Sequence, residues 1–123
     1  MLRLEHVNMV VTNMETSLQF YKACFAHWNI RTKGNANWHG TRRNCLHFGD
    51  DYHYLTFNDM RTGEPRDLSS NQVGLAHLGF EVDKFSTLHQ RLHKALSLIS
   101  KALSIYSDKI CTTSTPMDLT WRL

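Results

Sequence analysis

The segment Leu2-Arg3-Leu4-Glu5-His6-Val7-Asn8-Met9-Val10-Val11-Thr12, with Asn13 and the run Met14 to Trp28 behind it, decides the fold. Its first part has the two-residue period of a strand. Leu4, His6, Asn8 and Val10 share one face, and Glu5, Val7, Met9 and Val11 share the other. The second face is mostly apolar and suits packing against a helix, whereas the first mixes polar and apolar groups, as a pocket wall does. At Asn13 the period changes. Its side-chain oxygen can take an orphan amide of a first helical turn, and Glu15 suits the positive end of the helix dipole. Leu18, Tyr21, Phe25 and Trp28 then recur at spacings of three, four and three, with Phe20 and Cys24 widening the stripe. That pattern predicts an amphipathic helix over about residues 14–27.

Beyond this pair lies a polar stretch containing Gly34, Asn35, Asn37 and Gly40, with a weak strand expected around 28–33. The clearest hairpin follows: Asn44-Cys45-Leu46-His47-Phe48 leads into Gly49-Asp50-Asp51, and Tyr52-His53-Tyr54-Leu55-Thr56-Phe57 leads out. Residues 58–72 are polar, contain Gly63 and Pro65, and read as a loop. A further strand is expected from Val73 to Val82, with His77, Gly79 and Glu81 on one face. From Asp83 the period is helical again: Phe85, Leu88, Leu92, Leu96, Ile99, Leu103 and Tyr106 form one stripe. Within it, Lys94 to Ser100 and Lys101 to Ser107 agree at five of seven positions, a tandem duplication that keeps the stripe because seven residues are almost two turns. In the Ser/Thr-rich tail, Met117, Leu119, Trp121 and Leu123 alternate like a short strand.

Composition narrows the function classes. With 123 residues, 41% hydrophobic and 20% charged, the chain can build one ordinary domain and is not disordered. Its apolar runs are too short for a transmembrane span, and its first residues lack the apolar core of a secretory signal, so cytoplasmic placement is expected. A net charge of +3 without a basic stripe predicts neither a nucleic-acid nor a membrane partner. Cys24, Cys45 and Cys111 are odd in number and widely spaced, as reduced thiols are. There is no glycine-rich phosphate loop, hence no expected nucleotide cofactor, and no nucleophile motif; no residue is assigned a catalytic role.

The pieces Leu4 to Val11, Phe20-Tyr21 and Gly74 to Val82, in that order and spacing, resemble the vicinal oxygen chelate superfamily: glyoxalase I, bleomycin-resistance proteins and extradiol dioxygenases. The resemblance covers roughly residues 2–95. It implies an α+β fold in which a βαβββ module, here residues 1–58, is followed by a second module. In this chain that second module, residues 73–123, is expected to be incomplete and to carry a long helix, within a single domain over 1–123. It also implies strands curled around a cavity, a small-molecule ligand and a homodimer. In metal-using members a divalent ion in the cavity polarises two substrate oxygens. His6 and His77 fall at metal-ligand positions, and for each the alternatives are ligand or plain cavity-lining residue. Tyr54 stands where the first module supplies a carboxylate or amide, and the closing Glu has no counterpart.

Asn8, Leu46, Phe48, Tyr52, Tyr54 and Thr56 are expected to line the substrate cavity, with His6, Asn8, Tyr54, Thr56 and His77 converging. His47 and His53 read as rim or helix-facing residues. His89 and His93, at i and i+4, read as a solvated helix face. The expected function is small-molecule binding; the alternative is a metal-dependent lyase, isomerase or dioxygenase.

Overall fold

The computed structural model describes residues 1–64, 67, 70–75, 78–102, 111–112 and 118–121. The chain divides into two compact units, Met1–Thr62 and Gly63–Leu123.

The first unit is a βαβββ module. Strand β1 (His6–Val10) leads to helix α1 (Met14–Cys24), then to β2 (Asn29–Trp38), β3 (Thr41–Gly49) and β4 (Tyr54–Asn58). The sheet order is β1-β4-β3-β2. The β1–β4 pair is parallel, which requires a crossover, and α1 belongs to that crossover. Helix α1 starts where the capping residue demands: Asn13 Oδ1 accepts the Thr16 amide at 2.9 Å.

Register sorts every strand residue onto a face. Val7 opposes Leu55, and Met9 opposes Phe57. Leu46 opposes Phe57, and Phe48 opposes Leu55. These side chains meet Leu18 and Tyr21 of α1 in one core, flanked by Phe20, Phe25 and Trp28. Phe48 and Phe57 are fully buried, each such ring stabilising the fold by roughly 1.5–3 kcal/mol. Leu46 and Phe48, expected in the cavity lining, are therefore core residues. The physical reason is parity: with Gly49 opposite Tyr54, even-numbered residues of β3 share the face of odd-numbered residues of β4.

Two further expectations are corrected. The polar stretch after α1 is a ten-residue strand, not a short one ending near residue 33. It is held by pairing to β3 across the two-residue turn His39-Gly40, both with positive φ (51° and 76°), the backbone of a type I′ hairpin. Tyr52, expected in the cavity, lies in the turn before β4, is exposed, and sits under the Arg3 guanidinium at 5.5 Å.

That turn is built around Asp50. Its Oδ1 accepts the amides of Tyr52 and His53, each at 2.8 Å, and its Oδ2 accepts the Trp28 indole N–H at 2.9 Å. Partial desolvation works to raise the Asp50 carboxyl, but these hydrogen bonds outweigh it and hold it below the usual carboxylate range.

The second unit contains β5 (Leu78–Glu81), α2 (Phe85–Ala102), β6 (Cys111–Thr112) and β7 (Asp118–Trp121). Its sheet order is β5-β7-β6, with β7 antiparallel to both neighbours. Leu88 and Leu92 of α2 are buried. The expected short strand in the tail corresponds to β7, and β6 is a further strand in the Ser/Thr-rich tail. His77, Leu103, Tyr106, Met117 and Leu123 lie outside the described residues. Among the described residues no helix is long and apolar enough to cross a membrane.

A methyl group at Gly49 would collide with the His53 carbonyl and the Tyr54 backbone. Gly49→Ala is expected to lower stability by about 1–3 kcal/mol, as overpacking does, measured by denaturant unfolding. The depressed Asp50 carboxyl contributes stability above its ordinary value of about 3.9, and that contribution is lost as pH falls through the lower folded value. The melting temperature of the wild-type protein should accordingly drop more steeply on acidification than that of Asp50→Asn.

Candidate functional site

The face of the first sheet turned away from α1 carries the chemistry. Parity places His6, Asn8 and Val10 of β1 there, with Tyr54, Thr56 and Asn58 of β4 directly opposite them. Cys45 and His47 of β3 oppose Asn58 and Thr56 on the same face. Thus His6, Asn8, Tyr54 and Thr56, four of the residues expected to converge, share one face. Leu46 and Phe48 do not, and Tyr52 projects from the turn.

The centre is a row of three rings. His6 stacks on Tyr54 at 4.8 Å between centroids, 13° from parallel, and His47 stacks on Tyr54 at 5.0 Å and 24°. Because β4 lies between β1 and β3, the tyrosine stands between the two imidazoles. His6 is directly opposite Tyr54, at the spacing of neighbouring strands, about 4.8 Å, whereas His47 opposes Thr56 and reaches Tyr54 along the diagonal. Arg31 joins them. A register shift lies between Ile30 and Thr32 of β2, and the Arg31 guanidinium lies 4.5 Å from the Tyr54 ring centre. Next to the rings, Asn58 donates its side-chain amide to Asn8 Oδ1. Thr56 and Asn58 are both buried.

His47 and Arg31 are the residues that sequence reasoning missed. The signal for His47 was present: Leu46 and Phe48 are the large apolar residues of β3, so the core claims their face and His47 takes the other. Arg31 carried no signal, because its position depends on the irregularity in β2. Partial burial, then Arg31, then His6 hold the His47 imidazole below the ordinary histidine value. His6 Nδ1 lies 3.0 Å from Glu5 Oε2.

A family model, the Glyoxalase/Bleomycin resistance protein/Dioxygenase superfamily, matches residues 3–104. No curated protein and no solved structure gives a match. The divalent ion common in such proteins needs several convergent donors. Among the described residues no three His, Cys, Asp or Glu side chains gather to hold one. The Tyr54 ring separates His6 from His47, and the described donors do not by themselves fit a metal centre.

Removing the guanidinium takes away both a neighbouring cation and some of the cover over His47. Arg31→Ala should therefore raise the His47 titration midpoint toward the ordinary value of about 6.5, followed by NMR of the imidazole protons. An unchanged or lower midpoint would contradict this placement of Arg31.

Proposed function

Because the chain belongs to the glyoxalase/bleomycin resistance protein/dioxygenase superfamily, we propose that it is a small-molecule-binding protein whose ligand sits on the face of the first sheet turned away from α1. The observation that carries this reading is the co-location of a three-ring row with a hydrogen-bonded Asn8–Asn58 pair on a face that α1 does not cover. Ring edges and amides supply directional contacts. His6, Asn8, Tyr54 and Thr56 line the contact in this reading.

The two units are read as two modules of one domain, the second reduced. The protein is proposed to act as a homodimer. All ten residues of the edge strand β2 are exposed, leaving a run of backbone groups open to pairing, and two-fold self-association is the commonest way to cover such an edge.

The rival reading is a divalent-metal-dependent lyase, isomerase or dioxygenase acting on vicinal oxygens, with His6 and His77 as ligands. In its favour stands the position of His6 on the same open face. Titration of a small-fragment library into isotope-labelled protein separates the two. For the binding reading, bound fragments shift signals of β1, β3 and β4, and Tyr54→Ala weakens them at least tenfold, about 1.4 kcal/mol. Shifts confined to α1 would reject it. A stoichiometric divalent metal, lost in both His6→Ala and His77→Ala, would establish the rival.

A further inference from the structure

Resting on the small-molecule reading, we infer that the site selects its ligand by charge: it takes molecules bearing an oxyanion and turns away cationic ones, with Arg31 as the residue that makes the distinction. Three features of the open face carry this.

The first is the state of Arg31. Its guanidinium lies over the Tyr54 ring at 4.5 Å, and among the described residues it has no carboxylate partner within ion-pair distance. A ring face attracts the cation but accepts little from the in-plane N–H fork, so the donors stay available. A guanidinium positioned against a ring is partly ordered before any ligand arrives, and its fork matches a carboxylate or phosphate.

The second is the geometry of the rings. With the His6 ring, the His47 ring and the Arg31 guanidinium all within 5.0 Å of the Tyr54 ring centre, a ligand cannot slide onto the Tyr54 faces. It meets ring edges instead, where the phenol O–H and imidazole N–H groups donate hydrogen bonds. A face offering donors beside a cation is complementary to an oxyanion.

The third is charge. Among the face residues fixed by register on β1, β3 and β4, none is acidic, whereas Arg43 adds a second cation. Arg43 lies four residues from His47 along β3, roughly 13 Å. Its guanidinium covers Trp38 at 4.9 Å, and its Nε is buried with no partner among the described residues. Glu5, next in sequence to the face residue His6, is itself in contact with the His6 imidazole. A cationic aromatic molecule would meet the repulsion of Arg31 where an anion meets its attraction.

Four probes of nearly one shape test the inference: benzoate, phenyl phosphate, neutral benzamide and cationic benzamidine. Each is titrated into the labelled full chain, into Arg31→Gln, and into Arg42→Gln, which removes the same charge from a position of opposite parity on β3. Thermal melts establish that both variants are folded. The expected result is saturable binding of benzoate or phenyl phosphate with shifts at His47 and Tyr54. Arg31→Gln weakens that binding tenfold or more, Arg42→Gln changes it less than threefold, and benzamidine binds at least tenfold more weakly than the better anion. Preference for benzoate assigns carboxylates, and preference for phenyl phosphate assigns phosphate esters. Benzamidine binding as tightly as the anions, equal losses in the two variants, or no binding of either anion each overturns the inference. Benzamide binding at this face as tightly as the better anion overturns it while leaving the small-molecule reading intact. Failure of all four probes together with the fragment library removes both.

Discussion

Strand β4 has a neighbour on each edge and a different kind of side chain on each face, apolar towards α1 and polar away from it, and the first unit is organised by that double demand. Its two edges are occupied by β1, in parallel, and β3, antiparallel. Leu55 and Phe57 point into the core with Leu18 and Tyr21 of α1, while Tyr54, Thr56 and Asn58 point the other way. A slip of one residue in either ladder would exchange the two sets, burying polar groups in the core and exposing rings. The register is protected at the turn. Gly49 packs with no room for a side chain, and Asp50 ties the loop backbone to the Trp28 indole.

The candidate site is a consequence of that register. Neighbouring strands lie at a separation that also suits stacked rings, so aromatic residues at adjoining positions of β1 and β4, and diagonally across β4 and β3, stand in a row. Once stacked, the rings satisfy one another's faces and leave their edges outward. Arg31 lies against the Tyr54 ring, with no carboxylate partner among the described residues, which keeps a positive charge on the face turned away from α1, beside His47.

The two units differ in how much strand they contain. The first has four strands, and its β2–β3 hairpin is long because the His39-Gly40 turn lets ten residues pair. The described part of the second has three strands, one of them two residues long, beside an eighteen-residue helix. The near-duplicated heptad falls in the later part of that helix and beyond it. His89 and His93 are exposed on α2, and neither belongs to a metal-sized group among the described residues.

The sequence by itself determined the order of elements in the first module, the cap at Asn13, the apolar stripe of α1 and the two faces of β1, because these depend on periods of 2 and 3.6 that the chain writes locally. It also contained the short pieces by which the family is recognised. It did not determine the length of β2, whose residues show no apolar alternation and are strand only because β3 pairs with them. Nor did it place Leu46, Phe48 and Tyr52 correctly. Which face a hairpin strand turns inward depends on how many residues its turn consumes, and Gly49 opposite Tyr54 makes that count four. The same count brings His47 to the site, and the irregularity in β2 accompanies Arg31 there. Parity and register are relations between segments distant in sequence, and only the tertiary structure decides them.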